Sequence, residues 1–227
     1  MTTALLLIAT RPLYHEFARE IIKSADTYFV PHETVLFTDS DSDFGVNRIK
    51  CPTFGFPDAT LKRYHLFLEH ENLLRGFDYL FYVDVDALFV DSVGQEIFGP
   101  DITAVPHKGF NQHTWDFHLE ENPQSAAHMT YAPPMSYYVG GFNGGASEAF
   151  LEMARNIRAA VDTDAANGIR AKWNDESYLN KYLSVQKPST VLSIDYGFPE
   201  PEVPGYAGSP KLIFLEKSWR AQPQEYR

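Results

Sequence analysis

Apolar runs of strand length alternate with helix-periodic stretches along the first third of the chain. Leu5 to Ala9 is continuously apolar. After Arg11-Pro12, the residues Leu13, Phe17, Ile21 and Ile22 recur at helical spacing, and Pro12 suits a first helical turn. Thr34 to Thr38 reads as a second strand and Asp39 to Asp43 as an acidic loop. The spacing of Leu61, Tyr64, Leu68 and Glu71 predicts one helix over Thr60 to Leu74, ended by Gly76. Leu80 to Val83 is again a continuous apolar run, as expected of a strand buried on both faces. Strand, helix, strand, helix, strand is the order of a mostly parallel α/β sheet.

The pattern then changes. Residues 106–136 hold four His, several Pro and little periodicity, and their frequent aromatics indicate a long functional loop layer. Tyr137-Tyr138-Val139 leads into Gly140-Gly141-Phe142-Asn143-Gly144-Gly145. A helix is expected from about Ser147 to Val161, with Ser147 or Ala146 near its cap. Another begins near Asp175 and carries Tyr178, Leu179, Tyr182 and Leu183. Beyond Pro199 the chain is rich in Pro and Gly, then ends with Lys211, Lys217, Arg220 and Arg227. No repeat or domain boundary stands out, so residues 1–227 are expected to form one domain.

Composition narrows the function classes. The chain of 227 residues has 19 Lys plus Arg against 30 Asp plus Glu, a formal net charge of -11. Such a balance disfavours non-specific binding to nucleic acid or anionic membrane, while leaving room for a local phosphate site. The single cysteine, Cys51, has no partner for a disulfide or a zinc cluster and is expected to be a buried or loop thiol. Leu5 to Ala9 is too short for a membrane span and lacks a basic flank, so a soluble, cytoplasmic protein is expected.

Asp84 and Asp86 follow the Leu80–Val83 run with only Val85 between them. On a strand, residues i and i+2 point the same way, so the two acids could share one hard cation that bridges to phosphate. Open α/β sheets place their ligands at that end of the strand. A solvated acidic turn is the plainer alternative for so short a pattern.

Three stretches taken together change that balance. They are the surroundings of Asp84 and Asp86, the segment Tyr137 to Gly145, and the run from Asn167 to Leu183 that includes Trp173-Asn174-Asp175-Glu176-Ser177. In this order they resemble glycosyltransferase family 6, with weaker echoes from about Phe17 to Tyr196 that include Lys187-Pro188 and Val191-Leu192-Ser193. The resemblance implies a GT-A fold: an α/β, Rossmann-like nucleotide-sugar domain with a mixed, mostly parallel central sheet. Residues 1–105 would mainly bind the nucleotide, and 106–227 the acceptor. It implies retaining transfer of N-acetylgalactosamine or galactose from a UDP-sugar donor to a galactoside acceptor, plain or fucosylated, through an α-1,3 linkage. The short, anchor-free chain is similar to bacterial or viral members, and its Asp-x-Asp to the metal-dependent type.

The same resemblance assigns roles. Asp84 and Asp86 would hold Mn²⁺ or Mg²⁺, flanking Val85. Glu176 would be the catalytic carboxylate, acting as nucleophile or as stabiliser of an oxocarbenium-like sugar; complementing a helix N-terminus is its structural alternative. Asp175 would bind sugar hydroxyls or cap a helix, and Trp173 would wall the acceptor or pack in the core. Arg63 would contact donor and acids. His107 and Glu120 would bind acceptor, with Asp175 and Glu176. Val139, Gly140 and Gly141 match the donor-selecting triplet. Glycine at its last position leaves room for a larger C2 substituent, which favours N-acetylgalactosamine, or else serves only a tight backbone turn.

The departures are specific. Ile8 and Leu13 stand where relatives carry aromatics near uracil, while Ala9, followed by Thr10, matches. Asn174 replaces a histidine, Asn143 an aromatic, Lys108 a proline, and Glu121 and Asn122 two arginines. Lys217 and Arg220 are candidates for a tail that closes over the diphosphate. These changes keep open a weakly active sugar-nucleotide or carbohydrate-binding protein, or a UDP-sugar hydrolase, on the same fold.

Overall fold

The computed structural model describes residues 1–107, 119–130, 135–199 and 208–216. Lys217, Arg220 and much of the expected 106–136 loop layer lie outside the described residues. Strands β1 (Thr3–Ala9), β2 (Glu33–Thr38), β3 (Asn47–Lys50) and β4 (Tyr79–Val83) precede β5 (Ala87–Phe89), β6 (Ile102–Pro106) and β7 (Tyr138–Ala146). The short strands β8 (Thr190–Val191), β9 (Phe198–Pro199) and β10 (Leu212–Phe214) follow. A seven-stranded sheet has the order β3-β2-β1-β4-β7-β6-β8, and a smaller one the order β5-β10-β9. In the large sheet β1, β2, β3 and β4 pair in parallel, β7 runs antiparallel to both β4 and β6, and β6 is parallel to β8. This is the mixed, mostly parallel sheet that the alternation of elements predicts.

Strand alternation builds a core on each face. Leu6 and Ile8 of β1, Phe37 of β2 and Tyr82 of β4 face one core; Leu5, Leu7, Leu36, Phe81 and Val83 face the other. The helix α1 (Pro12–Tyr28) covers the second face with Phe17, Ala18, Ile21, Ile22 and Ala25. The first face is covered by α3 (Arg63–Glu69), α5 (Ser147–Ala166) and α6 (Asp175–Val185). The helix predicted from Ser147 therefore runs to Ala166, beyond Val161, with Ala146 at its cap. Cys51 is a buried free thiol, pushed up to about 11 by burial.

Two expectations change. The single helix over Thr60 to Leu74 is three short ones, α2 (Asp58–Leu61), α3 and α4 (Glu71–Leu74), broken at Lys62 and His70. Within α3, Arg63, Tyr64, Leu66 and Phe67 are buried on one helix face, and the breaks at Lys62 and His70 lie outside that face's run. Nor do Asp84 and Asp86 sit on a strand, because β4 ends at Val83. Asp84 still donates its N–H to Gly141 O (2.8 Å) on β7. The chain then turns, with Ala87 N–H donating to Asp84 O (3.2 Å), and enters the small sheet. A tight turn, rather than strand alternation, groups the two acids.

Candidate active site

The acids stand at the C-terminal end of β4, beside the end of β1. These neighbours mark the reversal of strand order, since β2 and β3 extend the sheet to one side of β1 and β4 lies on the other. Such a switch point opens a crevice for a ligand. A cavity of about 390 Å³ lies there, lined by Ile8, Thr10, Arg11, Tyr14, Phe54 and Phe56 together with Arg63, Tyr82, Asp84, Val85 and Asp86.

Arg63 organises the charged groups. It is only 3% exposed, so its charge must be paired to be tolerated. Its Nη2 donates to Asp84 Oδ1 at 2.9 Å and its Nη1 to Gly140 O at 3.0 Å. The same Nη1 is 2.8 Å from Asp175 Oδ2, an ion pair rather than an aligned hydrogen bond. The guanidinium stacks over the Tyr82 ring at 3.9 Å. Burial works against the Arg63 charge, but Asp175 and Asp84 outweigh it and raise the pKa. The Tyr82 hydroxyl donates to the same Asp84 Oδ1 that Arg63 engages.

The second acidic pair begins α6. Asn174 adopts φ 49, ψ -129, and Glu176 N–H donates to Trp173 O at 3.1 Å across it. That is the first central position of a type II′ turn, which needs positive φ. The turn aims Asp175 inward, at 5% exposure, and lets Glu176 Oε2 accept the Gly140 N–H at 2.8 Å. Asn180, one helical turn on, donates Nδ2 to Tyr138 O (2.8 Å) and accepts Tyr138 N–H (2.7 Å), stitching α6 to β7. Burial pushes Asp175 up to about 6 against the pull of Arg63. It pushes Glu176 up to about 7, although the Gly140 amide pulls it down. Part of the Glu176 surface nonetheless stays open. A carboxyl poised near neutrality in a crevice fits general or covalent catalysis.

The remaining sequence-predicted residues divide. Ile8, Thr10, Arg63, Asp84, Val85 and Asp86 line the one cavity, and Asp175, Glu176 and Gly140 join them through Arg63. Ala9 is fully buried, and Leu13 packs against the core on the α1 face; neither lines that cavity. Val139 is buried in the same core. Around Gly141 the Cβ direction is filled: a methyl would come 2.5 Å from the Phe214 ring and 2.8 Å from Asp84 Oδ2. Residue size at 141 therefore acts through those two groups. Trp173 is 42% exposed, as a wall facing outward would be. His107 donates its N–H to Tyr137 O at 2.8 Å, and Tyr137 neighbours Glu176. Both oxygens of Glu120 are engaged by backbone N–H groups, of Asn122 (2.8 Å) and Lys172 (2.7 Å), so it steadies the approach to Trp173.

Sequence reasoning missed Tyr82, Arg11, Tyr14, Phe54 and Phe56. Tyr82 was within reach of it, two residues before Asp84. The aromatics of Phe54-Gly55-Phe56-Pro57 could have been noted as rings presented by a Gly/Pro loop.

A divalent cation fits Asp84 in one respect. Arg63 and Tyr82 share Oδ1, leaving Oδ2 without a hydrogen bond among the described residues. No group of three or more His, Cys, Asp or Glu that could hold a metal occurs among the described residues. A cation here would therefore complete its shell with ligand oxygens and water. No helix among the described residues is long and apolar enough to cross a membrane.

Comparison with known proteins is consistent with this geometry. The sequence profile of glycosyltransferase family 6 matches residues 55–214. Histo-blood group ABO system transferase 2 of Rattus norvegicus is 32% identical over 212 residues, covering 86% of this chain and 63% of its own length. Globoside alpha-1,3-N-acetylgalactosaminyltransferase 1 of Gallus gallus is 31% identical over 200 residues, 81% of this chain and 58% of its own. O-antigen biosynthesis glycosyltransferase WbnI of Escherichia coli is 28% identical over 219 residues, 91% of this chain and 92% of its own. The chain thus spans less than two thirds of the two vertebrate proteins and most of the bacterial one.

Proposed function

This chain belongs to glycosyltransferase family 6, and from that premise we propose that it is a retaining, metal-dependent hexosyltransferase. It moves N-acetylgalactosamine, or galactose, from a UDP-sugar to the 3-hydroxyl of a galactoside, forming an α-1,3 linkage. Relatives named as alpha-1,3-N-acetylgalactosaminyltransferases and ABO transferases support the reaction class. The observation that carries the reading is the span of Arg63, which joins Asp84 at the end of β4 to Asp175 at the start of α6, next to Glu176.

In this reading the donor occupies the crevice with its diphosphate towards Asp84 and Asp86. Those two acids hold the Mn²⁺ or Mg²⁺, which supplies Lewis-acid neutralisation of the leaving diphosphate when bound. Arg63 fixes Asp84 and Asp175 in register, and Asp175 orients sugar hydroxyls. Glu176 lies opposite the leaving group, pinned by the Gly140 amide. It either attacks C1 to give a glycosyl-enzyme or stabilises the oxocarbenium-like sugar while the acceptor enters. Either role requires the ionised carboxylate. Trp173 and His107 bound the acceptor side. The preference for N-acetylgalactosamine rests on the relative named for its transfer, since the space beside Gly141 is already filled by Phe214 and Asp84.

The test is product analysis. Protein incubated with UDP-N-acetylgalactosamine, Mn²⁺ and a β-galactoside should yield a disaccharide whose proton NMR spectrum shows an α-anomeric signal and substitution at O3. A β-linked product, or free sugar alone, would refute the assignment.

A further inference from the structure

The lining of the cavity carries a feature that Asp84 and Asp86 do not explain. Asp39, just beyond β2, accepts hydrogen bonds from three partners: Arg11 N–H (3.2 and 3.3 Å), Thr53 Oγ1 (2.6 Å) and the His15 ring (2.6 Å). Arg11 and the segment that follows Thr53, with Phe54 and Phe56, form two walls of the cavity. Arg11 turns the chain from β1 into α1 with φ 79, ψ 150, a conformation that L-residues rarely adopt and that persists only when neighbours enforce it. Thr53 opens the segment that presents Phe54 and Phe56. A second stitch, from Thr10 Oγ1 to Phe54 O (2.9 Å), joins the same walls. Between them lies the space lined by Ile8, Arg11, Tyr14, Phe54 and Phe56. Phe56 is 73% exposed at the edge of this space, although it is a large apolar ring.

We infer that Asp39 is the clasp of the donor pocket, holding the Arg11 turn against the Thr53–Phe56 segment, and that Phe56 is a face on which the nucleobase of the donor rests. This deepens the proposed function and rests on it. The chemistry is that of a flat heterocycle joined to a charged diphosphate. The base has a π-face that stacks on any aromatic ring, whereas the diphosphate needs cations. The cavity lining offers both kinds of group, Tyr14, Phe54 and Phe56 for a base and Arg11, Arg63, Asp84 and Asp86 for a charged diphosphate and its cation. It also bears on the apolar Ile8 and Leu13: stacking that they cannot provide is available from Phe56, on a different segment.

The experiment is a calorimetric titration of UDP, and separately of inorganic diphosphate, each with Mn²⁺, into the protein and its Phe56→Ala and Asp39→Asn variants. Phe56→Ala, at an exposed position, should weaken UDP at least tenfold and leave diphosphate within twofold. Asp39→Asn keeps the shape but weakens the acceptor, and should do the same with an unchanged far-UV spectrum. Phe56→Trp should restore UDP affinity. If the wild-type protein binds UDP and Phe56→Ala binds it equally well, the inference falls and the functional reading stands. Equal loss of UDP and diphosphate would also overturn it, since the residue would then serve the charged groups. If the wild-type protein binds diphosphate but gains nothing from the nucleoside, both fall.

Discussion

The Gly140 N–H donates to Glu176 Oε2 at 2.8 Å, and that contact fixes the carboxylate proposed as catalytic to the strand beside the Asp-x-Asp turn. The same glycine accepts Arg63 Nη1 through its carbonyl. One peptide neighbourhood therefore couples the acid that would face the sugar to the arginine that holds Asp84, the acid proposed to bind the cation. A Cβ at 140 would lie 3.3 Å from Glu176 Cβ, so a side chain there would push Glu176 away by a few tenths of an ångström.

Replacing Glu176 by Gln should separate chemistry from binding. The amide oxygen can still accept the Gly140 N–H, so the fold should persist. Turnover should fall at least about 100-fold while UDP affinity stays near wild type. Activity within threefold of wild type would make Glu176 a helix-end residue only.

The pH dependence follows from the same group. Burial holds Glu176 near 7 and Asp175 near 6, both above their ordinary values. In the folded free enzyme Glu176 is therefore mostly protonated below neutrality, and kcat/KM should climb with pH through about 7 and then level off. Stability has the opposite sign. The folded state holds protons that the unfolded chain releases near the ordinary carboxylate range, so these groups support folding at low pH. That support is lost as pH rises through the raised values. Glu176→Gln should flatten part of this decline in Tm between pH 5 and 8. A wild-type Tm that does not fall relative to the variant over that window would contradict the assignment.

Arg63 and Asp175 should be energetically coupled. Arg63→Met leaves Asp175 buried without its counter-charge and should destabilise by about 3–5 kcal/mol. Adding Asp175→Asn should recover much of that loss. Additive penalties in urea unfolding of the single and double variants would show that the 2.8 Å contact is inert.

Asn180→Ala should loosen α6 from β7. It removes both hydrogen bonds to the buried Tyr138 backbone, at about 1–3 kcal/mol for each group left unsatisfied. Because Glu176 rides on that helix, kcat should drop more than donor affinity. A variant with wild-type stability would overturn the stitch.

The alternation of strands and helices in the first third was legible because β1, β2 and β4 are short, apolar and flanked by turn residues. The Arg63 cluster was not legible from periodicity. A buried arginine violates the pattern that marks it as surface, and only the resemblance drew attention to it. Asp84 and Asp86 were found for a partly mistaken reason, since a turn and not a strand sets their spacing. Glu120, expected at the acceptor, is also held by two backbone amides, contacts that sequence spacing does not encode. Phe56 stayed hidden because an exposed aromatic in a loop has no periodic neighbours to give it meaning.

The most direct measurement is UDP release from UDP-N-acetylgalactosamine and UDP-galactose, with Mn²⁺ or with EDTA, in the presence and absence of a β-galactoside. A metal-dependent transferase should release UDP only with the cation, faster with the galactoside, and stop when Asp84 or Asp86 becomes Asn. Undiminished release in EDTA would contradict the role given to those acids. No release from either donor, by folded protein that binds Mn²⁺, would contradict the account as a whole.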